Sequence, residues 1–305
     1  MGGNREALVI REIGIVSGKG GAGKSTITLA LASVLRGKAV FVDADVDAPD
    51  MYLVMEPDIR EKESFEGPLF PVFLPDRCTG CMLCENHCRF DAVKIVDGAP
   101  VFNEFMCDAC GVCWRVCPSD AIKTRRDISG EIYISSTRFG PFVHAQLFPG
   151  RENSGKLVSR IRAVAKAVAD DTGKELILLD GPPGIGCPVI STITGVDLVV
   201  AVAEPTLSGI HDVIRVYELS RFFNIPFGLV VNKTGINPEM EVSIEQFSCE
   251  RDVPILGRIP FSRSVVESVV NRKTIMEWDV DERVKQEIEN IWSGIRSMLS
   301  QMGSS

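Results

Sequence analysis

Gly18-Lys19-Gly20-Gly21-Ala22-Gly23-Lys24-Ser25 decides the fold of this chain. It satisfies G-x-x-x-x-G-K-[ST], and it sits between an apolar β-rich run at 8–17 and a helical pattern at 25–35, the strand–loop–helix context the motif requires. Glycines let backbone N–H groups curl around a phosphate, and the helix N-terminus adds favourable partial charge. Lys24 is placed to reach the β- and γ-phosphates of a nucleotide, Ser25 to ligate magnesium, and Gly20, Gly21, Ala22, Gly23 and Thr26 to line the cradle.

Working outward, apolar runs at 39–42, 176–179, 198–203, 227–231 and 254–259 read as buried strands. Helical patterns near 154–170, 208–222, 238–249, 263–272 and 280–300 separate or follow them. Such alternation implies an α/β P-loop fold, a mostly parallel sheet with helices on both faces. Two of the strands end in carboxylates, where this kind of sheet places its metal and water-positioning groups. Ile177-Leu-Leu-Asp180 reads as a Walker-B strand with Asp180 near magnesium. Val42-Asp43-Ala-Asp45-Val-Asp47 is acidic directly after a buried strand, which is costly unless a cation or hydrogen-bond donors meet it.

The chain has 305 residues, a net charge of -8, ten cysteines and 45% hydrophobic content, the profile of a globular protein with a substantial core. Its acidic balance and lack of a basic block argue against DNA or anionic lipid as main partners. No apolar run approaches the roughly 20 residues needed to span a bilayer. The start MGGNREALVI lacks the apolar region of a signal peptide, so the chain reads as cytoplasmic. In a reducing cytosol, eight cysteines between 78 and 117 read as metal ligands more readily than as disulfides.

Between 68 and 135 the strand–helix alternation gives way to short segments rich in cysteine and turn residues. This predicts an inserted small α+β domain at 68–135 within a discontinuous ATPase domain at 1–67 and 136–305, with Pro68, Pro71, Pro75 and the stretch 127–130 as boundary signals. The insert repeats internally. Cys78-Thr-Gly-Cys81-Met-Leu-Cys84-Glu-Asn-His-Cys88 followed by Asp91-Ala-Val recurs as Cys107-Asp-Ala-Cys110-Gly-Val-Cys113-Trp-Arg-Val-Cys117 followed by Asp120-Ala-Ile.

With its second lysine just inside the loop, Lys19-Gly-Gly-x-Gly-Lys24-Ser25 resembles the deviant Walker A of the MinD/ParA/Mrp and nitrogenase iron-protein superfamily. The resemblance implies a nucleotide-sandwich homodimer in which Lys19 reaches the phosphates of the other subunit. Asp45 matches the switch I aspartate that positions the attacking water, and Asp43 supports the magnesium shell. Asp180-Gly-Pro-Pro-Gly184 resembles switch II, Asn232-Lys233 resembles the segment that reads adenine, and Pro260 falls where the family has a base-side loop.

C-x2-C-x2-C-x3-C is the spacing of bacterial ferredoxins, in which three cysteines grip one cluster and the fourth ligates the other. The expected ligation is therefore crossed: Cys78, Cys81, Cys84 and Cys117 on one 4Fe-4S cluster, and Cys107, Cys110, Cys113 and Cys88 on the second. Zinc sites more often use paired C-x2-C knuckles. Pro118 follows Cys117 as the ferredoxin pattern expects, whereas Arg89 follows Cys88. A cation there favours the reduced cluster, and Asp91 is close enough to cancel it.

Weaker features take bland readings. Cys187 reads as a small buried helix-start residue, Cys249 as packing, His87 as a solvated loop residue and His144 as a structural hydrogen-bonding group. Val284, Ile288, Ile291, Trp292, Ile295 and Leu299 recur at helical spacing opposite a face of mixed charge, which predicts packing against the core rather than membrane binding. The whole predicts an ATPase using ATP and magnesium that couples nucleotide-driven dimer switching to electron transfer through two 4Fe-4S clusters, toward a redox or cofactor-accepting protein. The alternatives are an ATP-dependent assembly factor for iron-sulfur or other metal cofactors, and a MinD-like positioning ATPase.

Overall fold

The structure, a computed structural model, describes residues 9–150 and 154–302; the start of the chain that carries the signal-peptide reading lies outside them. In chain order the elements are β1 (Arg11–Ser17), α1 (Lys24–Val34), β2 (Val40–Asp43), α2 (Tyr52–Met55), β3 (Asp58–Phe73), α3 (Leu83–Asn86), β4 (Val93–Val96), β5 (Ala99–Phe102), α4 (Val112–Arg115), β6 (Ile122–Ser136) and β7 (Pro141–Leu147). They continue as α5 (Ser154–Thr172), β8 (Leu176–Pro183), α6 (Cys187–Ile193), β9 (Leu198–Ala203), α7 (Leu207–Phe222), β10 (Phe227–Thr234), α8 (Pro238–Arg251), β11 (Ile255–Pro260), α9 (Arg263–Val270) and α10 (Glu282–Met302). The described residues form two compact units, one of 9–63, 132–146 and 154–302, the other of 64–131 and 147–150.

The sheet runs in the order β11-β10-β9-β1-β8-β2-β7-β6-β3. Pairing from β11 through β7 is parallel, as the alternating pattern predicted. The central strands are apolar on both faces because helices cover both, and every residue of β9, Leu-Val-Val-Ala-Val-Ala, is buried. One core takes in Ile27 and Leu31 of α1, Phe41 of β2, and Val284, Ile288, Ile291 and Ile295 of α10. The apolar stripe of α10 is thus spent on the core, as its mixed-charge opposite face predicted. No helix among the described residues is long and apolar enough to cross a membrane.

Sequence periodicity did not reveal β7 or the long strands β3 and β6. Pro68 and Pro71 read as breakers but lie within β3, the last strand in the order, where an edge position leaves the missing N–H donors harmless. Short α6 starts at Cys187, as its helix-start reading expected, with Pro188 in its first turn, where a missing N–H costs nothing.

In the second unit the internal repeat becomes a repeat of backbone. Met82 (φ 59°) and Gly111 (φ 83°) hold equivalent left-handed positions ahead of α3 and α4. Asp91 (φ 52°) and Asp120 (φ 53°) do the same ahead of β4 and β6. The hairpin β4–β5 turns through Asp97 and Gly98, both at positive φ, as a tight two-residue turn demands. A small core of Cys84, Val93, Cys113 and Ile122 holds this unit together.

Candidate functional site

Sheet register brings the chemistry to one edge. β2 pairs with β8 so that Asp43 lies opposite Asp180, and with β7 so that Asp43 lies opposite His144. Beside these strand ends the loop between β1 and α1 closes over a cavity of about 250 Å³ bounded by Gly20, Lys24, Ser25, Asp45, Asp50 and Pro183. Gly23, at φ 91°, caps α1 in a conformation that a side chain would strain, and a Cβ there would stand 2.1 Å from Asn232 Nδ2. A Cβ on Gly18 would meet that of Asp212 in α7 at 2.1 Å. These glycines are required by close approach as well as by the curl of the loop.

Asp180 is fully buried and accepts three hydrogen bonds: from Lys24 Nζ at 2.8 Å, Ser25 Oγ at 2.7 Å and Thr28 Oγ1 at 2.7 Å. Burial works to lower the Lys24 pKa, but Asp180, helped by Asp43 and Asp45, outweighs it and the ammonium is held above its ordinary range. Asp43 is equally buried, and its oxygens accept from the backbone N–H groups of Asp45 (3.1 Å), Asp50 (3.2 Å) and Met51 (3.1 Å). It therefore shapes the acidic loop from behind the cavity wall. Burial, then the neighbouring Asp180, pushes its pKa well up. Asp45 lines the cavity itself, as does Asp50, and burial raises both carboxyls. Four carboxylates around one ammonium leave room for a cation, the role predicted for magnesium.

Asp50 is a residue that sequence reading missed. The sequence marked the run from Asp43 to Asp47 as acidic, but Asp50 follows Pro49 and looked like turn chemistry. Thr28 was missed too, although one helical turn after Lys24 it falls on the same face of α1.

A second cavity of about 310 Å³ continues from the first, sharing Gly21, Gly23 and Thr26, and is bounded beyond them by Asn232, Lys233, Pro260 and the apolar residues Val265 and Ile275. Asn232 Nδ2 donates to Ala22 O at 2.8 Å, and Lys233 Nζ donates to Gly21 O at 2.7 Å, so these two residues also brace the loop. Polar at one end and apolar at the other, the paired cavities have the shape and lining of a nucleotide site.

Lys19 does not point into this cavity. Its ammonium pairs with Glu204 and lies 3.3 Å from Thr206 Oγ1 and 3.1 Å from Ser208 Oγ. Glu204 also pairs with Lys233 at 2.8 Å. Burial opposes ionisation of Glu204, but its bonds from Lys19 and Lys233 win and hold the carboxyl below its usual range.

A model of the CobQ/CobB/MinD/ParA nucleotide binding domain matches residues 13–275. The chain belongs to this family. It is 35% identical over 294 residues to an uncharacterized protein of Methanocaldococcus jannaschii, covering 95% of this chain and 98% of that one. It is 25% identical over 261 residues to an uncharacterized ATP-binding protein of the same organism, covering 83% and 75%. The septum site-determining protein MinD of Pyrococcus horikoshii, solved with Mg-ADP, superimposes with a TM-score of 0.58 at 18% identity, over 94% of this chain and 96% of that chain. As a MinD/ParA-type P-loop protein, the chain carries the nucleotide-binding fold that its Walker A loop predicted.

The cysteines of the second unit gather into two sets. Cys78, Cys81, Cys84 and Cys117 line one small cavity. Cys88, Cys107, Cys110 and Cys113 line another. Each set takes three cysteines from one run and the fourth from the other. None of the eight is paired in a disulfide. Among the described residues no group of three or more His, Cys, Asp or Glu side chains closes to the spacing of a single metal ion; the sulfurs instead stand around a shared space. Four thiols per cavity, with glycines at Gly80 and Gly111 relieving the loops, form a donor set suited to a cubane cluster. Burial pushes the Cys113 thiol up to about 11, so filling that cavity requires proton release.

Cys187 and Cys249 are both exposed rather than packed as expected. Cys187 opens α6, where the turn after Gly184 and Gly186 faces its side chain outward. His144 matches its structural reading: it is buried, stacks on Tyr133 and Phe142 at centroid distances of 4.9 and 4.6 Å, and its Nε2 lies 3.3 Å from Ser135 Oγ. His87 is exposed, with Nδ1 2.9 Å from Leu83 O.

Proposed function

We propose that this chain is an ATP-hydrolysing switch protein whose nucleotide-driven dimerisation gates one-electron transfer through a pair of 4Fe-4S clusters held by the 64–131 segment. The observation that carries this reading is the division of eight cysteines into two cavities of four, each drawing its fourth sulfur from the opposite run, on a chain that also builds a nucleotide site. Clusters bound there supply reversible one-electron chemistry. Crossed ligation makes them part of the unit's framework and favours a relay over a cargo.

On the nucleotide side, the P-loop N–H groups and Lys24 bind the phosphates. For this, Lys24 turns an N–H from Asp180 toward the γ-phosphate; Ser25 and Asp180 would hold magnesium, which would neutralise phosphate charge, and Asp43 fixes the loop that carries Asp45. Asp45 orients the attacking water and accepts its proton. Asn232, Lys233 and Pro260 border the base. In the dimer Lys19 leaves Glu204 to reach the partner subunit's nucleotide.

The test is low-temperature EPR of the anaerobically purified, dithionite-reduced protein with and without MgATP, alongside iron analysis. About eight iron atoms per chain, as two cubanes require, and a spectrum that changes with MgATP at constant spin count are expected. A chain without iron refutes the cluster reading, and clusters indifferent to MgATP refute the gating.

The exposed thiol of Cys187 beside the switch II turn favours a second reading, an ATP-dependent carrier that assembles iron-sulfur or other metal cofactors. That reading requires additional iron, beyond the two cubanes, that a chelator removes and Cys187→Ser abolishes.

A further inference from the structure

The two cysteine cavities are related by the internal repeat but are not lined alike. Thr79 in the first repeat aligns with Asp108 in the second, and Phe90 aligns with Ser119. Because ligation is crossed, these exchanges fall on opposite cavities and reinforce each other. The cavity of Cys78, Cys81, Cys84 and Cys117 is lined by Thr79 and Ser119. That of Cys88, Cys107, Cys110 and Cys113 is lined by Asp108 and Phe90.

Hydrogen bonds to the two fourth sulfurs, Cys117 and Cys88, follow the same division. Cys117 Sγ receives the Ala121 N–H at 3.2 Å and lies 3.7 Å from Ser119 Oγ. Once the sulfur is deprotonated to serve as a ligand, only the hydroxyl can donate in that contact. The three-cysteine runs are matched in this respect: Cys78 Sγ receives the Gly80 N–H at 3.4 Å, and Cys107 is bonded in the same way by the backbone of Ala109. Cys88, the counterpart of Cys117, has a sulfur that accepts no hydrogen bond among the described residues, and Phe90 stands where the hydroxyl would be.

Donors to ligand sulfurs stabilise the more negative, reduced cluster, whereas a carboxylate beside the sulfurs opposes its added charge. We infer that Ser119 and Asp108 set the two clusters to different reduction potentials, higher at the Cys78 cavity and lower at the Cys107 cavity, giving the relay an internal direction. This rests on the cluster reading above. The first electron to enter resides at the Cys78 site. Transfer from the Cys107 site removes one electron there and adds one at the Cys78 site, with no bond made or broken and no proton moved. Asp108 is exposed, as is Arg89 after Cys88, whose charge acts the other way at the same cavity; solvent screening keeps both contributions modest, and the donors at Cys117 carry most of the difference.

The experiment is a potentiometric titration of the anaerobically purified full-length chain, followed by EPR, for wild type, Ser119→Ala and Asp108→Asn. Two one-electron waves are expected in the wild type. Ser119→Ala lowers the upper wave and leaves the lower in place; Asp108→Asn raises the lower wave and leaves the upper in place. A single wave in the wild type, or two waves that neither substitution moves as stated, overturns the inference while the cluster reading stands. A chain without iron and acid-labile sulfide overturns both.

Discussion

Lys24 Nζ lies 2.8 Å from Asp180 Oδ2, and both side chains are almost entirely removed from solvent. The lysine that should hold a phosphate is thus charge-paired with the carboxylate at the tip of β8. Removing one partner of a buried pair leaves the other uncompensated, at a cost of about 3–5 kcal/mol. Lys24→Ala is expected to lower stability by that order and to abolish nucleotide binding. Urea unfolding monitored by circular dichroism measures the first, and fluorescent-nucleotide titration of the folded fraction the second. A variant as stable as wild type would show that the hydroxyls of Ser25 and Thr28 satisfy Asp180 without the lysine.

Lys19 offers the opposite profile. Its side chain is 31% exposed in its pair with Glu204, so the pair contributes no more than about 1 kcal/mol. Lys19→Ala is expected to fold, to bind MgATP and to keep its iron, yet to lose hydrolysis, because the lost contact is one made to the partner's phosphates. Phosphate release at saturating ATP decides the matter: turnover at the wild-type rate removes Lys19 from the mechanism.

Crossed ligation makes its own forecast. Cys117→Ser changes a residue of the second run but should erase the signal of the cluster held by Cys78, Cys81 and Cys84, and Cys88→Ser should erase the other. Reduced spectra of the two variants should therefore be complementary. If Cys117→Ser instead removed the signal assigned to the Cys107 run, each run would be holding its own cluster.

Much of this was legible because the deciding signals are local. A Walker A loop between a strand and a helix, and two C-x2-C-x2-C-x3-C runs, state their geometry within a few residues. Six of the seven parallel strands were visible as apolar runs, since a parallel sheet covered on both faces tolerates little else; β7, interrupted by His144 and Gln146, was not. What could not be read depended on distant partners. β3 is a long strand, exposed over its first half, whose two prolines argue against it, and β6 opens on the charged run Lys123 to Asp127, which carries no burial signal. Asp50 and Glu204 look like ordinary surface acids until folding sets one in the phosphate cavity and the other between Lys19 and Lys233. Asp43 and Asp45 are two residues apart and chemically identical. Only the backbone N–H groups around Asp43 separate a loop-shaping carboxylate from one that faces the cavity.

His144 carries a pH dependence whose sign can be worked out. Burial lowers its pKa from 6.5 to about 4, so at neutral pH the imidazole is uncharged in both folded and unfolded chains and contributes no difference. Below pH 6.5 the unfolded chain takes up a proton that the folded chain refuses until about pH 4. Stability is therefore lost as pH falls through that window, by about 2 kcal/mol at pH 5 and approaching about 3 kcal/mol below the folded pKa, taking 1.36 kcal/mol per unit. His144→Phe preserves the stack with Tyr133 and Phe142 but cannot titrate. It also gives up the contact with Ser135, a loss that does not vary with pH. Denaturant unfolding of both proteins at pH 7 and pH 5 isolates the effect, because the carboxylates common to both cancel in the comparison. The stability gap between wild type and variant should move by about 2 kcal/mol in favour of the variant on acidification. A gap that stays constant between the two pH values would mean that the imidazole takes up its proton inside the fold, and that the ring stack and Ser135 hold the charged form.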